Sequence, residues 1–310
     1  MPITHLVTHS GGFHADELLS SVVLTRLYPD AQIMRSRDTL WTKPTPERIV
    51  YDVGRAYDPQ HGMFDHHQRP NPLRPDGHPY SSFGLIWEHF GKKYLSTFET
   101  GEADLDDLHR RIDEIFVRPI DLLDNGAIEP SQAGQLANLT LPALLETLKP
   151  DFDTRTPEAD DSAFATALPI ARSFLEACLR EQLALIRADT MVLKAIQAAG
   201  ESRILELPMG MPFRSTIERF GAHHLLFVVH PRDGDWALNT IRISETSFTS
   251  KADLPAAWAG LTDSAFEVTS GVRGAKFCHN ARFIAVAHSR EAIMQLAEKA
   301  VEQAEETVIA

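Results

Sequence analysis

The stretch ITHLVTHSGGFHADELLSSVVLTRLY, residues 3–28, decides how this chain folds. Its first part, ITHLVTH (3–9), is short and apolar and reads as a strand. SGGFH (10–14) interrupts it with a Gly-Gly pair. From Ala15 the period changes: Leu18, Leu19, Val22, Val23 and Leu27 recur at helical spacing. Asp16 and Glu17 stand in the first turn, where acidic groups suit the positive end of a helix. Pro29-Asp30 closes the segment.

The alternation continues outward. AQIMRS (31–36) is a candidate second strand, and ERIVYDVG (47–54) is a third, closed by Gly54. YDPQHGMFDHH (57–67) turns and returns. Residues 68–82 hold four prolines and form a loop, after which Ser81-Ser82 can cap the helix FGLIWEHFGKKYL. Residues 105–124 read as a further helix, stopped at Asp124-Asn125-Gly126. Strands alternating with helices argue for an α/β fold whose sheet has parallel members. The polar, acidic segment KPDFDTRTPEADDSA (148–162) marks a boundary, so the expected domains are 1–160 and 161–310. The second begins with a helix over 163–199. It continues through the strand-like pieces SRILELP, HHLLFVVH, WALNTIRI, AKFCHN and RFIAVAHS. A helix over 289–306, with Ile293, Leu296, Ala300 and Val301 on one face, closes an α/β or α+β domain.

Bulk composition narrows the function. With 310 residues the chain can build two cores, and 43% hydrophobic with 24% charged residues is the balance of a soluble globular protein. No apolar run reaches the length of a membrane span, and the N-terminus lacks the basic flank and apolar core of a secretory signal. Two cysteines, Cys178 and Cys278, exclude a disulfide framework and a cysteine-built zinc finger, and suit a reducing, cytoplasmic setting. A formal net charge of −13 excludes coating nucleic acid by simple counterion release. A polyanionic substrate would need a local site that reverses the sign, as a bound divalent metal does.

Eight of the fourteen histidines lie in the first 89 residues, and they keep company with acids. His9 ends the first strand. His14 and Asp16 occupy the turn into the helix, Asp52 ends another strand, and Asp65, His66 and His67 follow the next apolar run. Singly, each has a plainer reading as a strand end, a helix cap or a turn residue. Together they all fall at the carboxyl ends of strands, where open α/β sheets carry their sites. Imidazole and carboxylate without thiolate suit Mn²⁺ or Mg²⁺, with Zn²⁺ and Co²⁺ also admissible. Some six ligands exceed the four of a structural zinc and would serve two ions about 3.5–4 Å apart. Gly11-Gly12 would let backbone approach an anion. No zincin helix, EF-hand loop, phosphate-cradling loop or serine elbow is present.

THSGGFHADE (8–17), YDVG (51–54), FDHHQ (64–68) and IDLLDNG (120–126), in this order, resemble the Myg-one family of metal-dependent hydrolases and exonucleases in the DHH phosphoesterase superfamily. LPAAWAGL and SGVRGAKFCHNARFIA resemble the family's C-terminal signatures, so the likeness spans nearly the whole chain. It implies a DHH-type parallel sheet domain with helices on both faces, plus a smaller DHHA1-like α/β substrate domain, with the cleft between them. By the same resemblance His9, His14 and Asp16 bind one metal, Asp52 bridges, and His66 with Asp124 completes the second site. Asp121, one turn earlier, is not separated firmly from Asp124. His67 would contact the scissile phosphate or protonate the leaving oxygen, and Asp65 would orient a neighbouring histidine. Gly271, Arg273, Gly274 and His279 match the substrate-binding region. Ala285-Val286-Ala287 stands where the family tends to have a Gly-Gly run, a departure from the pattern that would let backbone approach substrate closely. The implied activity is phosphodiester hydrolysis with two divalent ions, Mn²⁺ preferred. The implied substrate is single-stranded RNA or short oligonucleotides cut from an end, and a homodimer is admitted. The alternatives are a small-molecule phosphoesterase or pyrophosphatase and a non-catalytic metal-binding protein.

Overall fold

The computed structural model describes residues 1–101, 103–244 and 246–309. The chain forms two compact units, Met1–Leu183 and Ala184–Ala310. Together they make a mixed α/β architecture with one five-stranded sheet in each.

In the first unit β1 (His5–Thr8) leads into α1 (Ala15–Leu27), then β2 (Gln32–Arg35), the one-turn α2 (Thr39–Thr42) and β3 (Arg48–Tyr51). A short hairpin of β4 (Tyr57–Asp58) and β5 (Met63–Phe64) completes the sheet in the order β2-β1-β3-β5-β4. All neighbours are parallel except β4 on β5. Gly62 sets that hairpin: its φ is 72°, and a Cβ there would lie 2.6 Å from the Arg48 carbonyl oxygen.

Side chains alternate across this sheet as period two requires. Val7, Val50 and Met63 point to one face and cluster with Trp41 of α2. On the other face the Tyr51 hydroxyl meets Ser21 of α1 at 2.6 Å, and Phe64 packs on Phe90 of α3 (Ser82–Leu95), ring centres 5.3 Å apart. Helices thus cover both faces, one of them by a single turn. Every residue of α1 from Ala15 to Leu24 is buried, the polar Asp16, Glu17, Ser20 and Ser21 included. The apolar spacing in the sequence marks only part of that surface, because α1 packs against β1 and three other helices.

Ser81 caps α3, its hydroxyl accepting from Gly84 N–H at 3.4 Å. The helix expected over 105–124 forms as α4 (Leu105–Ile112), a π turn (Asp113–Val117) and α5 (Arg118–Asp124). Pro119 in α5 has no N–H to give to the preceding turn, which relieves the α-helical pattern there. Asn125 is the C-cap and Gly126 follows at φ 65°. Next come α6 (Leu141–Glu146) and the long α7 (Pro157–Ala199). The boundary expected at 160/161 falls near the start of α7, and the compact units divide farther along that helix, after Leu183.

The second unit carries β6 (Ile204–Glu206), α8 (Arg214–Arg219), β7 (Phe227–Arg232), β8 (Asp235–Thr240), α9 (Asp263–Ser270), β9 (Ala275–Cys278), β10 (Ile284–Ala287) and α10 (Arg290–Ile309). Its sheet order is β6-β7-β8-β10-β9, parallel only between β6 and β7. Phe227, Val229, Leu238 and Ala285 pack there against Phe266 of α9 and Ile293, Leu296 and Ala300 of α10. The strand read in HHLLFVVH begins only at Phe227. Ala285 and Ala287 are fully buried in β10, an interior strand, with an irregular register between Val286 and Ala287.

Candidate metal centre

Asp52 follows the last residue of β3 and has φ 53°, a conformation that costs a non-glycine residue energy and recurs at functional sites. Its carboxylate divides between two histidines. Oδ2 lies 3.1 Å from His9 Nε2, and Oδ1 lies 3.4 Å from His66 Nε2. His66 Nε2 is also 3.5 Å from Asp124 Oδ2 and 4.0 Å from Asp16 Oδ2. His9, Asp16, Asp52 and His66 are buried, while His14 stands at the exposed rim, its ring centre 6.2 Å from that of His9. All six expected ligands line one cavity of about 950 Å³ in the first unit.

The two helical aspartates separate cleanly. Asp121 accepts from Arg74 Nε at 2.6 Å and from Ser81 Oγ at 2.7 Å, and Arg74 also bridges Asp113. Asp124, one turn on, is the carboxylate beside His66. Asp65 holds the loop that carries the histidines. Its Oδ1 accepts from the His66 N–H at 2.8 Å and lies 2.7 Å from His67 Nδ1, and Oδ2 accepts from the Arg55 N–H at 2.5 Å. The sequence reading missed Glu17 as a site residue and treated it as a helix-end acid. Fully buried, it accepts the His14 N–H on both oxygens at 2.9 Å and lies 3.0 Å from His9 Nε2. Only its place in H-A-D-E, three residues beyond the N-cap, signals that role. Asn125 was also missed; its Oδ1 is 3.3 Å from His66 Nδ1.

Electrostatics follow from burial of charge. Burial alone would lower the His9 and His66 pKa values, but the adjoining carboxylates outweigh it and raise them to about 10 and about 9. Burial pushes Asp124 up to about 6, and it raises Asp16 with help from the charges of Asp124, Asp52 and Glu17. Asp52 is held low by its two histidines despite its burial. His67, more exposed, is raised mainly by its hydrogen bond to Asp65.

Both carboxylate oxygens of Asp16, and Oδ1 of Asp52, are shut off from solvent without a hydrogen-bond donor. Buried carboxylate oxygens are ordinarily paired, and a divalent cation satisfies several at once. Ligand atoms of Asp16, His66 and Asp124, of His9, His14 and Glu17, and of Asp16, Glu17 and Asp52 all fall within 4.8 Å in their sets. The donor chemistry fits a hard or borderline divalent ion.

The Gly-Gly pair adjoins a guanidinium group. Gly11 takes φ 94°, and a Cβ on Gly12 would collide with the Arg155 guanidinium, which Asp160 holds in place at 3.1 Å. Gly271, Arg273 and Gly274 lie in the turn from α9 to β9 in the second unit, and His279 follows the far end of β9, in the turn to β10. Gly271 caps α9 at φ 66°, Arg273 is exposed, and Gly274 N–H donates to Glu267. His279 Nδ1 accepts from Ala281 N–H at 3.0 Å.

Residues 5–301 match the family model MYG1_exonuc, described as Uncharacterised protein family (UPF0160). The chain belongs to the MYG1 family. It is 32% identical to the MYG1 exonuclease of Bos taurus, over 97% of this chain and 87% of that protein. To the MYG1 protein C694.04c of Schizosaccharomyces pombe it is 30% identical, covering 97% and 98%. The human MYG1 exonuclease is 31% identical over 96% and 85%. Among solved structures, exonuclease RecJ bound to manganese aligns over 96% of this chain and 90% of that one, at 15% identity and a TM-score of 0.27. That score is too low for the superposition to say anything further of this chain.

Proposed function

We propose that this member of the MYG1 family is a metal-dependent phosphodiester hydrolase, an exonuclease acting on single-stranded RNA or short oligonucleotides. The observation that carries the reading is the Asp52 carboxylate shared between His9 and His66, flanked by the undonated oxygens of Asp16. The relatives named exonuclease support it. His9, His14, Asp16, Asp52, His66 and Asp124 would hold two divalent ions, with Mn²⁺ the preferred metal. Bound there, such ions supply Lewis acids that polarise a phosphoryl oxygen and acidify the attacking water.

The chain's own residues do the rest. Asp65 accepts a hydrogen bond from His67 Nδ1–H, which orients the ring and leaves Nε2–H to face the leaving oxygen. The raised pKa of His67 keeps a proton available for that oxygen. Glu17 orients His9, and Asn125 orients His66. Arg273, Gly271, Gly274 and His279 are proposed as substrate contacts, and the two free cysteines support a reducing, cytoplasmic setting. Among the described residues no helix is long and apolar enough to cross a membrane.

A second reading, hydrolysis of small phosphoesters or pyrophosphate, is favoured by the net charge of −13. One experiment separates the two. The purified protein is incubated with Mn²⁺ and, in parallel, with end-labelled oligonucleotides, pyrophosphate and an aryl phosphodiester. A ladder from one end is the expected result. Turnover of the small compounds alone overturns the exonuclease reading, and bound metal with no turnover leaves a binding protein.

A further inference from the structure

The floor of the cavity is acidic, yet its wall carries Arg37, Arg55 and Arg69. The chain has 43 acidic residues against 30 lysines and arginines, so most guanidinium groups can find a carboxylate. Arg35 pairs with Asp161, Arg74 with Asp113 and Asp121, and Arg118 with Asp76. Among the described residues the side chains of Arg55 and Arg69 have no hydrogen bond and no ion pair. Both are exposed at the rim.

Arg55 is also fixed in place. It takes φ 54°, three residues after Asp52 at φ 53°, and its N–H is tied to Asp65. Its stem is therefore anchored to the loop that carries His66 and His67. A second observation comes from the same wall. The Gln68 carboxamide, both Oε1 and Nε2, and Asn71 Oδ1 are closed off from solvent and have no partner. Unpaired guanidinium forks suit phosphate oxygens, and the enclosed amides beside them keep hydrogen-bonding capacity unspent.

We propose that Arg55 and Arg69 bind backbone phosphates of a single-stranded nucleic acid flanking the scissile linkage, with the enclosed Gln68 carboxamide turning out to the adjacent nucleotide. This rests on the exonuclease reading and makes it specific: the substrate is a strand with several phosphates, not an isolated phosphodiester. It also explains how a protein of net charge −13 holds a polyanion. The metals answer one phosphate, and the two arginines answer its neighbours.

The test is binding, measured apart from turnover. Fluorescence anisotropy with a labelled, phosphorothioate-linked single-stranded oligonucleotide in Mn²⁺ gives Kd over a salt series. The slope of log Kd against log salt should shrink by about 0.7 for each arginine removed in Arg55→Gln and Arg69→Gln. Kd itself should weaken on the order of tenfold per variant. Arg55→Lys, which keeps the charge, should retain most of the slope, and thermal melts confirm that each variant is folded. Folded variants with wild-type Kd and slope would overturn the proposal, as would a wild-type protein that binds no strand. A wild-type protein that binds the strand with the arginine-dependent slope but cleaves no oligonucleotide refutes the exonuclease reading and leaves the binding wall standing.

Discussion

At the scale of single residues, Asp16 is a buried acid that opposes folding on its own, and the proposed divalent ion would relieve it. Asp16 is 1% exposed, carries two undonated oxygens and faces Asp52, Asp124 and Glu17. Asp16→Asn replaces a repelled carboxylate with an amide that can donate to those neighbours. The metal-free variant should be more stable than wild type by about 1 kcal/mol in urea unfolding. Its Mn²⁺ affinity by calorimetry should fall at least tenfold. A metal-free variant less stable than wild type would refute the account of Asp16. Glu17 has a mixed duty, since it caps α1 and orients His9. Glu17→Gln should keep most of the stability but lose roughly 10- to 100-fold in metal affinity. Wild-type affinity in that variant would mean Glu17 is only a cap.

Among the secondary elements, α3 and α5 meet where Gly84 leaves room for the Asp121 carboxylate. Ala is favoured over Gly inside a helix by about 1 kcal/mol. Here the added methyl would displace Asp121 from Arg74 and Ser81, leaving a buried carboxylate without its partners. Gly84→Ala should therefore destabilise the protein, by about 1–3 kcal/mol. Equal or greater stability by urea unfolding would show that the Asp121 network carries no weight. The same contact explains why Asp124, and not Asp121, is the α5 carboxylate that faces the cavity. Asp121 is spent on holding the loop of Arg74 to the π turn, through Asp113.

For the whole molecule, histidines and carboxylates from the ends of β1 and β3, the start of α1, the loop after β5 and the end of α5 converge on one cavity. Metal binding should then stabilise the folded chain by linkage. At a free Mn²⁺ concentration about 100 times Kd the gain is about 2.7 kcal/mol, a rise in Tm on the order of 5–10 °C. EDTA should reverse it in a thermal melt. A Tm indifferent to Mn²⁺ and EDTA would sink the metal centre. Much of the fold was legible beforehand. The strand–loop–helix order of the first half, the capped helix after Ser81 and the stop at Asn125-Gly126 follow from local period and cap chemistry, which act over a few residues. The parts that were not legible depend on distant partners. The complete burial of α1, the late start of β7 and the extension of α7 back to Pro157 reflect packing that no local pattern records.

The amino-acid order alone determined the α/β alternation and the pool of imidazoles and carboxylates at strand ends, because backbone period and side-chain chemistry are local properties. Only the tertiary structure decided which of those groups meet. It split Asp52 between His9 and His66, turned Asp121 away to Arg74, and brought Glu17 and Asn125 to the histidines. Among the described residues it also left Arg55 and Arg69 without carboxylate partners at the rim. Such choices rest on ångström-scale distances between residues far apart in the chain, and charge interactions in a buried site are decided by those distances.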